Sequence, residues 1–127
     1  MKYLKLQGGE FMKPGFTIEV KDIPQKPGVK LLEFKGEVDL STSHKIIEVV
    51  FPLINQGYTH LIGDFSQLEY INSSGIFNFL RCYAKIKETN GYLKFINVKP
   101  PLYEVLDSLG ITKIFPVYNS LEEAIKD

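Results

Sequence analysis

His60-Leu61-Ile62-Gly63-Asp64-Phe65-Ser66-Gln67-Leu68-Glu69-Tyr70-Ile71-Asn72-Ser73-Ser74-Gly75 decides how the rest of the chain is read. Its first six residues, His60 to Phe65, are short and mostly apolar, which predicts a buried strand. From Asp64 to Gly75 polar residues interrupt the pattern, and this stretch reads as a loop. Beyond it, Ile76, Phe79, Leu80, Tyr83 and Ile86 recur at helical spacing within a helix over Ser73–Thr89, which Asn90-Gly91 closes. A buried strand followed by an amphipathic helix is the repeating unit of a parallel sheet.

Working outward, the same unit recurs. Upstream, Ser41 to Asn55 carries Ile46, Ile47, Val49, Val50, Leu53 and Ile54 on a helical face, with Asp39 or Ser41 placed to cap it and Gly57 to end it. Pro52 in that helix predicts a kink or an early stop. Downstream come a strand over Tyr92–Val98, a short helix over Pro101–Leu109 and an edge strand over Ile114–Tyr118, placed at an edge by Pro116. Ser120 and Glu123 have the spacing of a capping box for a last helix. Before all of this, alternation over Phe16–Lys21 and apolar residues over Val29–Lys35 flank a loop with two prolines and a glycine. A loop this short allows only an antiparallel hairpin. The fold class is therefore α/β: a mixed sheet with an N-terminal antiparallel hairpin, followed by helix–strand repeats with right-handed crossovers. Residues 1–14, punctuated by Gly8-Gly9 and Pro14, read as a loose N-terminal arm, and residues 15–127 as a single domain.

Composition narrows the class. At 127 residues, 44% hydrophobic and 24% charged, the chain has what one ordinary core requires. Fifteen basic and fifteen acidic residues cancel, which removes the basic footprint of a nucleic-acid binder and the polybasic patch of a membrane-surface protein. One cysteine, Cys82, and two histidines point away from a disulfide framework or a zinc site, and Cys82 reads as a small packed residue of a helix. There is no apolar run of membrane-spanning length and no signal-peptide pattern at the start, so the expectation is a soluble cytoplasmic protein, monomer or weak dimer.

In a sheet of this class the functional surface lies beyond the carboxyl ends of the parallel strands, which singles out the Asp64–Gly75 stretch. Two serines open a helix there. Unpaired N–H groups and the helix dipole favour an anion at that place, so phosphate on Ser73 or Ser74 would be tolerated; the plainer reading makes Ser73 an N-cap. A serine nucleophile fits poorly, because Asn72-Ser73-Ser74-Gly75 lacks the first glycine of a G-x-S-x-G elbow. His44 lies early in a helix, and His60 sits at the opposite end of its strand. A phospho-aspartate at Asp64 lacks an acidic pair after the first strand and a lysine after the last. Phe77 and Tyr83 could face a partner, although aromatics on an amphipathic helix are more often core.

The order of elements and motifs resembles the STAS domain of bacterial anti-sigma factor antagonists. Gly36-Glu37-Val38-Asp39 resembles the family's G-E-[LV]-D after the second strand, and Asp64-Phe65-Ser66 its D-[LF]-S. Ile71-Asn72-Ser73-Ser74-Gly75 resembles its phosphorylation loop I-D-S-S-G, with Asn72 where the aspartate usually stands. Ser120 to Ala124 resembles its last helix. The likeness implies a non-catalytic switch with no cofactor of its own. Its unphosphorylated form would bind an anti-sigma factor that is also a serine kinase and free the sigma factor; phosphorylation of Ser74, with Ser73 as the alternative acceptor, would release it, and a PP2C-type phosphatase would reset it. Asp39, Asp64, Asn72, Ser73 and Gly75 would then shape the partner-binding surface. The alternatives are a STAS scaffold that is never phosphorylated and a small-ligand or nucleotide-binding module.

Overall fold

The computed structural model describes residues 4–5, 11–12 and 15–127. Two short strands, β1 (Leu4–Lys5) and β2 (Phe11–Met12), pair antiparallel; the rest of the expected arm lies outside the described residues. The body is a five-stranded sheet in the order β3 (Phe16–Asp22), β4 (Lys30–Val38), β5 (His60–Ile71), β6 (Tyr92–Ile96), β7 (Val117–Tyr118). The β3–β4 pair is antiparallel and the three pairs after it are parallel, as the hairpin-then-repeat pattern requires. Helices α1 (His44–Asn55), α2 (Ser73–Ile86) and α3 (Pro100–Ser108) connect successive parallel strands, and their apolar residues join one core cluster. Each crossover steps one strand in the same direction, so all three helices fall on one face. Helix α4 (Leu121–Lys126) covers the other face with a smaller cluster around Ile62, Ile96 and Ala124.

The main core is aromatic. Phe34, Phe65, Phe79 and Phe95 meet edge-on or tilted with ring centroids 4.5–5.7 Å apart, and Phe115 stacks on Phe95 at 4.7 Å. This packing accounts for Gly63, a residue with no side chain in a central strand. A Cβ there would lie 2.6 Å from the Phe34 ring, so the phenyl group occupies the space a branched residue would take. On the α4 face, the buried Lys94 donates to the carbonyl oxygens of Ala124 (2.8 Å) and Asp127 (3.0 Å), and burial holds its pKa below the ordinary lysine value.

Several boundaries differ from the sequence reading. The stretch from Asp64 to Ile71 is strand: after register shifts opposite Phe34 and between Gly36 and Glu37, β5 continues beside the tail of β4, pairing Gly36 with Leu68 and Val38 with Ile71. Bulges break the period of two, which is why the polar residues masked the strand. Helix α1 starts at His44, after a turn over residues 40–43, and does not stop early at Pro52. Pro52 is exposed, and so is Glu48, the residue four before it whose carbonyl a proline leaves without its helical partner, so that carbonyl lies on the solvent side of the helix. The last strand is only Val117–Tyr118, at the edge as expected, because residues 111–113 turn as a 3₁₀ helix. Helix α2 ends at Ile86 and α3 begins at Pro100, each within three residues of expectation.

Candidate functional site

β4 and β5 end side by side. Val38 pairs with Ile71, and the next backbone link, Asn72 N–H to the Val38 carbonyl at 3.0 Å, brings the two outgoing chains together. Asp39 follows one strand and Asn72 the other, so the G-E-V-D and N-S-S-G motifs converge at one end of the sheet.

Asn72, not Ser73, is the N-cap of α2. Its extended backbone turns the chain, and its Oδ1 accepts from Ser74 N (3.1 Å), Gly75 N (3.3 Å) and the Ser74 hydroxyl (2.6 Å). Ser73, expected as the cap, is the first helical residue and is exposed; Ser74 is half-buried with its hydroxyl turned toward Asn72. Gly75 is buried beneath them. A Cβ there would lie 2.6 Å from Val38 Cγ1 and 2.7 Å from Ile71 Cγ1, so only glycine lets the first turn of α2 settle onto the strand ends.

Asp39 organises the neighbouring turn. Its Oδ1 accepts from Ser41 N (2.9 Å), Ser41 Oγ (2.7 Å) and Thr42 N (3.2 Å), and the Ser41 hydroxyl foremost holds its pKa below the usual carboxylate value. Thr42 Oγ1 accepts from Asp39 N and donates to the Glu37 carbonyl, both at 2.9 Å. Neither Asp39 nor Ser41 caps α1 directly: the cap position is Ser43, whose side chain makes no capping bond.

Asp64 is not part of this convergence. It lies in the body of β5, eight residues before Asn72, on the order of 25 Å along an extended strand. There it accepts from Ser66 N (2.9 Å) and Asn97 Nδ2 (3.2 Å) beside a shallow cleft shared with Glu33, Lys35 and Ser66. Its role is to hold the bulge and the Asn97 turn, whose φ of 59° is left-handed.

Sequence reasoning missed Asn78 and undervalued Phe77. Asn78 is buried and donates from Nδ2 to the Ser43 carbonyl at 3.0 Å, tying the starts of α1 and α2 together. Its signal was a polar residue at a core-facing helical position. Phe77, one turn after Ser73, is 60% exposed, and Leu40, beside Asp39, is 82% exposed. Large apolar side chains left in water just beyond the end of β4 and in the first turns of α2 suit a protein partner better than a small polar ligand. Cys82 is buried mid-helix with its thiol pushed up to about 12 by burial, and Tyr83 packs edge-on against Phe115. Among the described residues no helix is long and apolar enough to cross a membrane, and no His/Cys/Asp/Glu group could hold a metal.

A family model described as STAS domain matches residues 20–124. The anti-sigma F factor antagonist of Paenibacillus polymyxa is 27% identical over 101 residues, 79% of this chain and 86% of that protein. Among solved structures, an anti-sigma factor antagonist from Mycobacterium paratuberculosis superposes with a TM-score of 0.77 at 23% identity, covering 88% of this chain and 92% of that one. The Bacillus protein SpoIIAA does so in its unphosphorylated form (TM-score 0.67, 20% identity, 87% and 96% covered) and its phosphorylated form (0.66, 22%, 87% and 97%). At these identities the structural likeness speaks for the fold.

Proposed function

The chain belongs to the STAS domain family, and from that premise we propose that it is an anti-sigma factor antagonist working by partner switching in the cytoplasm. The unphosphorylated domain binds an anti-sigma factor that is also a serine kinase, which frees the sigma factor. The kinase then transfers the terminal phosphoryl group of ATP to Ser74 Oγ. The new P–O bond forms as the bond to the departing ADP breaks, and the hydroxyl proton passes to a base of the kinase. ATP and its Mg²⁺ belong to the kinase, and a PP2C-type phosphatase restores the hydroxyl. The domain itself performs no catalysis.

The observation that carries this reading is the setting of Ser74: half-buried in the first turn of α2, with exposed Phe77 three residues on along the same helix. A dianion is locally tolerated at a helix N-terminus, so phosphorylation leaves the fold standing. The same dianion in a partner contact that Phe77 makes apolar loses its water without gaining a partner, which costs binding. The relatives named as anti-sigma factor antagonists, and SpoIIAA with its phosphorylated form, support the assignment.

Incubation with the anti-sigma factor kinase and ATP, followed by mass spectrometry, tests it. The expected product carries one phosphate, on Ser74. Phosphate on Ser73 alone moves the acceptor by one residue and refutes the site. No phosphate from a kinase active on another antagonist refutes the switch in favour of a constitutive scaffold.

A further inference from the structure

We propose that Asn72 is a reversible cap: its side-chain amide turns over when Ser74 carries phosphate, so one residue holds the α2 N-terminus in the free state and the phosphoryl group in the modified state. The proposal rests on the reading of Ser74 as the phosphoacceptor.

In the unmodified chain Asn72 Oδ1 faces donors: two backbone N–H groups, and the Ser74 hydroxyl at 2.6 Å. Phosphorylation removes that hydroxyl proton and leaves Oγ an ester oxygen, which can only accept. Two acceptor oxygens at 2.6 Å repel, and the phosphate adds a charge of about −2 beside them. Asparagine carries the remedy within one group, because its NH₂ offers two donors. Rotation about its last side-chain bond, a broad and roughly two-fold torsion, puts Nδ2 where Oδ1 stood. The amide then donates to the phosphoryl group. The N–H groups of Ser74 and Gly75, released from Oδ1, take phosphate oxygens as acceptors in the field of the helix dipole. Val38 and Ile71 close the wall behind Gly75, so the phosphate lies on the outer side, where Ser73 is exposed. The N–H groups of Ser74 and Gly75 thus have an acceptor in both states.

A carboxylate at position 72 would cap the unmodified helix equally well. It has no donor, however, and would meet the phosphate as a like charge. The identity of residue 72 therefore determines how well the phosphorylated domain holds its first turn.

The full chain with phosphoserine placed at position 74 during translation tests this without any kinase. The result is thus separate from whether a kinase modifies Ser74 or a partner is released. At pH 8 the Asn72 side-chain NH₂ signals in ¹⁵N spectra are expected to move downfield with the Ser74 and Gly75 amides, and the melting temperature to stay within about 2 °C of the unmodified chain. In Asn72→Asp the same modification should lower melting by about 5 °C or more. Unmoved Asn72 NH₂ signals would overturn the proposal, because Ser74 would then have swung its phosphate away from an unchanged cap. An equal loss of melting temperature in both backgrounds would overturn it too. Should unmodified Asn72→Asp fail to fold, the spectra of the parent sequence decide alone.

Discussion

The starts of α1 and α2 sit at the same end of the sheet, each just beyond a parallel strand, and both are rich in serine; they are built to opposite ends. At α1 the polar groups are consumed internally. Asp39 accepts from Ser41 and Thr42, Thr42 bridges back to Glu37, and the Ser43 carbonyl takes the buried amide of Asn78. At α2 a single side chain, Asn72, holds the turn, while Ser73 stays exposed and Ser74 stays within reach of solvent. The lesson is that a serine before a helix says little about chemistry; what matters is whether its neighbours already use it.

The hardest way to break this comparison is at Gly75. Valine there places branched carbon where Val38 and Ile71 already stand, within 2.6–2.9 Å of the new Cβ, and should cost about 3 kcal/mol in urea unfolding. A loss under about 0.5 kcal/mol would show that the first turn of α2 is not seated on the strand ends as described. Next in size is the cap. Asn72→Ala should cost about 1 kcal/mol, whereas Ser43→Ala should change capping little, because only the first side chain bonds the helix. Equal losses from the two substitutions would erase the distinction between the helix starts.

The smallest effect belongs to Asp39 and depends on pH. Its carboxyl is depressed by the Ser41 hydroxyl, so it stabilises the fold above its unfolded pKa, and that contribution is lost as pH falls through the lower folded value. The melting-temperature gap between parent and Asp39→Ala should therefore be widest near neutrality and narrow as the pH approaches about 3. A gap that widens in acid would contradict the bond geometry.

Much of this was legible because it is local. Asn72-Ser73-Ser74-Gly75 marks a helix start from residue types alone, and Gly36 to Asp39 marks the end of β4, so the convergence of two motifs could be anticipated. The strand from Asp64 to Ile71 could not. Ser66, Gln67 and Glu69 look like loop, and only the tail of β4, brought alongside by the fold, makes them strand through irregular register. For the same reason Asp64, expected near a strand end, lies in the body of β5. The early stop at Pro52 does not occur, because the residue sits on an exposed face of the helix, which periodicity does not report. Phe77 was weighed as core since its helix is amphipathic, yet it lies outside the buried stripe of Phe79, Cys82 and Ile86.

The most direct measurement is calorimetric titration of the anti-sigma factor with the full chain, unmodified and with phosphoserine at position 74, alongside circular dichroism of both. Affinity is expected to fall about a hundredfold or more on modification, roughly 3 kcal/mol, with the spectra superimposable. Ser74→Ala should bind as the unmodified chain does and stay bound when ATP is added. Equal affinity of the two forms for the partner would contradict the switch.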